Sequence, residues 1–171
     1  MNYQDERTNY CRLSDSWTYR GLKTVIIENE IVRITVLADK GADIYSFVHK
    51  KTDTDFMWRS PWGVRNPRNT VPPTGDPSSV WLDYYEGGWQ TVVPHGGYSD
   101  RVYGADFGIH GDVNLIPWDT QVIKDTPNEV SVRFNARSVR MPMSVSKTLS
   151  LVSGSSMLRI KEAVTNEGEE D

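Results

Sequence analysis

The sequence predicts an all-β protein of antiparallel sheets packed face to face, on three observations. Apolar and polar residues alternate with a period of two towards both ends of the chain. No window sustains the 3.6-residue apolar period of a helix. Six Trp and eight Tyr beside 13 Gly and nine Pro suit strands, turns and flat aromatic surfaces. At 171 residues the chain fits one domain, 1–171, large enough to bury a core without disulfide staples.

The elements follow in order. Between Thr24 and Leu37 a β-branched run breaks at Glu28-Asn29-Glu30, and Val32, Ile34 and Val36 alternate with Arg33 and Thr35, which predicts a hairpin with one wet face. Gly41-Ala42-Asp43 leads into Ile44-Tyr45-Ser46-Phe47-Val48, and the polar turn Lys50 to Thr54 returns the chain into Phe56-Met57-Trp58, a second meander. Near the C-terminus Val130, Val132, Phe134 and Ala136 share one face, with Glu129, Ser131, Arg133 and Asn135 on the other. Met143, Val145, Leu149 and Leu151 interleave with Ser144, Ser146, Thr148 and Ser150, and Ser153-Gly154-Ser155 turns the chain into Leu158 to Val164. Three consecutive antiparallel strands are expected there. The polar segment from Thr165 to Asp171 follows directly on a strand, so the sheet is expected to be incomplete, with residues missing beyond Asp171.

Charge and composition exclude several function classes. Nineteen basic against 23 acidic residues give a formal charge of −4, with no basic run to track a phosphate backbone, so no nucleic-acid partner is expected. The lone Cys11 precludes an internal disulfide and a multi-cysteine zinc site, and fits a reducing compartment. The polar N-terminus lacks a signal-peptide core, and no apolar stretch approaches the ~20 residues a membrane helix needs. A cytoplasmic protein with no membrane partner is the expectation. There is no glycine-rich phosphate loop, no G-x-S-x-G and no H-E-x-x-H. His95, His110 and Asp112 have no ligand spacing behind them, so neither a metal nor a cofactor is expected.

The irregular stretch from about Arg59 to Asp119 is where function is expected, because long loops in compact domains usually build binding or active sites. It holds most of the prolines and the aromatics Trp81, Tyr84, Tyr85, Trp89, Tyr98, Tyr103 and Trp118. A pyranose packs its C–H face on such rings while its hydroxyls seek polar groups at the rim. Asp83, Glu86, Gln90, Asp100, Arg101, Asp106, Asp112 and Asn114 are candidates for that rim. His49 reads as a solvated surface residue. His95, in Pro94-His95-Gly96-Gly97, and His110, in Gly108-Ile109-His110-Gly111-Asp112, are flanked by glycines that let a ligand approach the imidazole.

The order Gly41-Ala42-Asp43-Ile44, Phe56-Met57-Trp58, Gly87-Gly88-Trp89-Gln90, Pro94-His95-Gly96-Gly97, Gly108-Ile109-His110-Gly111-Asp112 and Pro117-Trp118 resembles the first half of the aldose 1-epimerase (galactose mutarotase-like) superfamily. The resemblance covers roughly residues 25–166 and lies nearest a divergent branch. It implies an antiparallel sandwich of the supersandwich type, about twice this length, that interconverts the anomers of free sugars through ring opening. It implies that His110 is the first active-site histidine and that a small-molecule sugar is the partner. Arg101 corresponds to the arginine that binds sugar hydroxyls, though the family's arginine-containing signature is not present around it. His95 stands where Asn is common. Trp89, Asp112 and Trp118 complete the expected substrate contacts. A second histidine and a carboxylate base would lie beyond Asp171. Ring opening needs an acid at the ring oxygen and a base at the anomeric hydroxyl; histidine, titrating near neutrality, can be the acid. The expected function is thus an aldose 1-epimerase-like isomerase lacking some of its catalytic set, with a non-catalytic carbohydrate-binding sandwich as the alternative. An accessory sandwich of a larger glycan-degrading enzyme is a third possibility.

Overall fold

The computed structural model describes residues 9–69, 78–102 and 104–169, and they form three antiparallel sheets. Strands β1 (Arg12–Tyr19), β2 (Leu22–Glu28), β3 (Val32–Leu37), β4 (Asp43–His49) and β5 (Thr54–Asp55) make one sheet in sequence order. β6 (Asp100–Val102) and β7 (Ala105–Phe107) make a small hairpin. β8 (Asp119–Asp125), β9 (Glu129–Arg137), β10 (Met143–Val152) and β11 (Arg159–Asn166) make the second large sheet, again each strand beside its predecessor. One short helix, α1 (Ser78–Tyr84), lies in the irregular stretch. Among the described residues strand predominates and helix is confined to short segments, so the fold is the all-β antiparallel sandwich that the alternation predicts.

Period-two alternation places the core. Val25, Ile27, Ile34, Val36 and Ile44 from the first sheet join Val130, Val132, Phe134, Val145, Leu149 and Leu151 from the second in one buried cluster. A smaller cluster of Leu22, Leu37, Tyr45 and Val64 uses the opposite face of the first sheet. Asn29, fully buried in the β2–β3 turn, joins the two layers. Its side-chain carbonyl accepts the N–H groups of Ile31 and Val32, while its amide donates to Val152 O at 2.8 Å and Ser155 O at 2.7 Å in the β10–β11 turn. All four bonding positions of the side chain are filled by backbone.

Three elements depart from expectation. β1 is a strand, yet five of its eight residues are exposed and its register slips between Ser14 and Trp17, so no clean alternation marks it. β8 is likewise exposed along nearly its whole length. Phe56-Met57-Trp58, expected to be a returning strand, is not one: β5 stops at Asp55, whose carboxylate accepts the N–H groups of Phe47 and Met57 at 3.0 Å each and so takes the place of ladder bonds. No helix among the described residues is long and apolar enough to cross a membrane.

Asn29→Ala should leave two backbone donors and two acceptors unpaired at a buried turn. A loss of about 2 kcal/mol or more in urea denaturation is expected, whereas Val139→Ala, at a residue 73% exposed, should stay within about 0.5 kcal/mol of the parent.

Candidate functional site

The irregular stretch is docked onto the first sheet by backbone. Ile44 and Trp89 exchange both N–H···O bonds at 3.0 Å, Gly88 N–H donates to Trp58 O at 2.8 Å, and Ser60 N–H donates to Glu86 O at 2.8 Å. Gly87 has a φ of +94°, and a Cβ there would lie 2.2 Å from Trp58 O, so only glycine lets the segment come this close. Gly111 serves the same purpose in the following loop: with a φ of +78°, its Cβ would lie 2.0 Å from Val93 O. That approach interlocks the loops carrying the two glycine-flanked histidines, with His110 N–H donating to Gly97 O at 3.1 Å.

Docked in this way, the stretch forms an open cleft of about 430 Å³ lined by Phe56, Met57, Trp58, Trp81, Tyr85, Gly88, Trp89, Gln90, Val92 and His110. Trp81 in α1 and Tyr85 just after it stack with ring centroids 4.5 Å apart. Trp58 stacks on Tyr85 at 5.8 Å, and the His110 imidazole meets Trp81 edge-on at 4.6 Å. Four rings therefore run in series and end at His110. Trp58 and Trp89 are each more than half exposed, with faces open to a ligand. His110 has a left-handed backbone (φ 63°), and its Nδ1 lies 3.1 Å from Gly96 O. A carbonyl can only accept, so Nδ1 carries the hydrogen, and among the described residues nothing bonds Nε2. Proton exchange with a ligand would fall on Nε2.

Behind the cleft lies a charge cluster without access to solvent. Lys40 Nζ is 3.0 Å from Asp43 Oδ2 and 2.6 Å from Glu86 Oε2, and all three side chains have zero exposure. Gln90 connects this cluster to the cleft: its Nε2 donates to Asp43 Oδ2 at 3.0 Å, and its Oε1 accepts the Trp81 indole N–H at 3.0 Å. Burial pulls the Lys40 ammonium down, but Asp43 and then Glu86 outweigh it and hold Lys40 above its ordinary value. Burial pushes the Glu86 carboxyl up to about 8; Lys40 opposes that rise and Asp43 adds to it. With two carboxyls and one cation, the cluster is neutral when one carboxyl keeps a proton, and Glu86 is the one that does.

A second buried amine lies on the inner face of β10. Lys147 Nζ donates to Thr91 Oγ1 at 2.8 Å, and that hydroxyl donates to Glu162 Oε1 on β11 at 2.7 Å. The ammonium also stands 5.3 Å from the centre of the Trp118 ring. Burial lowers the Lys147 amine below its ordinary value, with Asp43 and Glu162 opposing.

The expected site residues separate. His110 and Trp89 line the cleft. His95 does not: its ring packs edge-on against Phe107 at 5.7 Å, and its Nδ1 accepts the Gly97 N–H at 3.3 Å. Arg101 is on the exposed β6 hairpin, loosely paired with Asp106 at 3.8 Å, away from the cleft lining. Asp112 is a buried brace whose Oδ2 accepts from Ser138 Oγ and from the N–H groups of Val139 and Arg140; it borders a neighbouring hollow of about 400 Å³ together with Trp81 and Ile109. Trp118 is in the core, its indole N–H donating to Val113 O at 2.8 Å, so it presents no free face to a ligand. Tyr103 lies outside the described residues. Sequence reading missed Lys40, Asp43 and Lys147 as polar centres. Lys147 had a signal, since it occupies an inward position between Val145 and Leu149; Lys40, in a turn, had none. Among the described residues no three His, Cys, Asp or Glu side chains are gathered so as to hold a metal ion.

The cluster makes stability depend on pH. Glu86 ionises near 4.5 when unfolded and about 8 when folded, so between those values the native state holds the extra proton and stability falls as pH rises. Urea midpoints at about pH 5 and about pH 8.5 should show that fall in the parent and a flatter profile in Glu86→Gln, which cannot ionise; equal slopes would contradict the assignment.

Among solved structures, the chain resembles a TPR-domain containing protein from Parabacteroides distasonis with a TM-score of 0.60 and 17% identity, over 86% of this chain and 22% of that one. This chain thus spans about a fifth of that protein's length, and the likeness is one of fold. A comparison with curated proteins finds no match. Residues 19–171 match the family model described as Domain of unknown function (DUF4432), and the chain belongs to that family.

Proposed function

We propose that the chain binds a free sugar in the aromatic cleft and belongs to an aldose 1-epimerase-like isomerase, with His110 as the proton donor. The observation that carries this reading is the series Trp58, Tyr85, Trp81 and His110, which brings an imidazole whose Nε2 none of the described residues bonds to the end of an aromatic wall. A pyranose stacked on the exposed Trp89 or Trp58 face would bury its C–H surface there and turn its oxygens to the rim. Protonation of the ring oxygen by His110 Nε2, with loss of the anomeric hydroxyl proton to a base, opens the ring; reclosure on the other carbonyl face gives the other anomer. The Gly96 carbonyl holds Nδ1 as N–H throughout, so the imidazole keeps its orientation as it loses and regains the proton at Nε2.

The order of the segments supports the same reading, since the Gly-Gly-Trp-Gln and Gly-Ile-His-Gly-Asp pieces resemble that superfamily and lie at the cleft. One observation favours a second reading, a carbohydrate-binding sandwich without catalysis: His110 and the Tyr85 phenol are the titratable groups among the described lining residues, and no carboxylate stands there as base.

Titration of tryptophan fluorescence with a panel of neutral aldoses and uronic acids should give a saturable change for at least one sugar. Trp89→Ala should weaken that binding roughly tenfold, about 1.4 kcal/mol. The 171-residue chain should not accelerate mutarotation in a polarimeter. In a protein that also contains the base, His110→Asn should lower the rate ~10²–10⁴-fold. Asn is the suitable replacement because it tolerates the left-handed backbone that Ala would strain. No fluorescence response to any member of the panel would overturn the sugar reading.

A further inference from the structure

Gln90 stands at the cleft rim, yet both ends of its amide are already engaged by protein. An indole N–H can only donate and a carboxylate can only accept, so the bonds to Trp81 and Asp43 fix the amide in one orientation. Asp43 is held in turn by Lys40 inside a cluster that solvent does not reach. On the other side, Trp81 carries the edge-on contact to His110. Trp81 itself belongs to a helix of only seven residues, too short to be rigid by its own backbone bonds.

We propose that Gln90 is a positioning residue, through which the buried Lys40–Asp43–Glu86 cluster fixes Trp81 and thereby the His110 imidazole in the cleft. The proposal rests on the reading of this cleft as the sugar site. The chemistry of the link is directional. Gln90 touches neither reacting atom; it supplies the acceptor for the Trp81 indole N–H, and it takes its own anchorage from a carboxylate that cannot move without weakening its pairing with a buried ammonium. Its side chain can be changed without undocking the segment, because the backbone bonds of Trp89 to Ile44 and of Gly88 to Trp58 hold the chain just before it.

Gln90→Met keeps the side-chain length and removes both bonds. In the ligand-free protein the indole N–H resonance of Trp81 and the imidazole C–H resonances of His110 should both move, with circular dichroism unchanged. With D-glucose and D-galactose as probes, the dissociation constant should rise roughly 3- to 10-fold. Trp81→Phe, which keeps a ring but loses the N–H, should move the His110 resonances in the same way, and the double variant should add little to either single change. Unmoved His110 resonances in Gln90→Met, or fully additive effects in the double variant, would overturn the proposal. If Gln90→Met does not fold, the His110 resonances of Trp81→Phe decide the matter alone. If the parent binds neither sugar, the function proposed for the cleft fails, while the resonances still test the positioning.

Discussion

A buried ammonium costs several kcal/mol unless carboxylates accompany it, and Lys40 has no exposure at all. Its two partners come from different regions of the chain: Asp43 opens β4, three residues on, while Glu86 comes from within the irregular stretch. The irregular stretch therefore cannot leave the first sheet without taking one of its two partners from the buried Lys40 ammonium. The glycine at 87 makes the approach possible sterically, and the paired backbone bonds between Ile44 and Trp89 complete it. The placement of Trp81, Tyr85, Trp89 and Gln90 in one cleft follows from that docking.

The sandwich thus has two kinds of interior. Between the sheets, valines, isoleucines and leucines meet as the alternation demands. Where the loops cover the end of that core, the inward positions turn polar: Asp43 at the start of β4, and Lys147 within β10. Lys147 relies on the Thr91 hydroxyl and the Trp118 ring rather than on a direct carboxylate, and its amine is correspondingly easier to deprotonate. Low dielectric strengthens each of these contacts and also penalises any that is lost, so the polar interior tolerates little rearrangement. A cleft built on such a foundation is pre-organised.

The strands were legible wherever one face is dry. β3, β9 and β10 alternate, and the sequence shows it, while β2 was marked by its β-branched run. β11 is largely exposed, and the Ser153-Gly154-Ser155 turn before it was what marked its start. β1 and β8 were not legible because they are wet on nearly all sides and so carry no alternation. α1 is too short to display a helical period. Of the cleft, glycine-flanked His110 and Trp89 were legible, while Asp112 and Trp118 prove to be structural. Their residue types suit sugar contact and internal bracing equally well, and only the fold separates the two uses. The charge cluster was invisible because Glu86 is far along the chain from Asp43, and nothing local to Lys40 marks it as buried.

An aromatic loop, a core of simple alternation and a buried ion cluster each have ordinary structural explanations when taken singly. The aromatic series is what reaches His110, whose Nε2 none of the described residues bonds. The most direct test is a crystal structure of the protein soaked with D-glucose or D-galactose. The account predicts a pyranose lying flat against Trp89 or Trp58 with a sugar oxygen about 3 Å from His110 Nε2. A sugar bound elsewhere on the molecule, or a cleft that stays empty at saturating sugar, would contradict it.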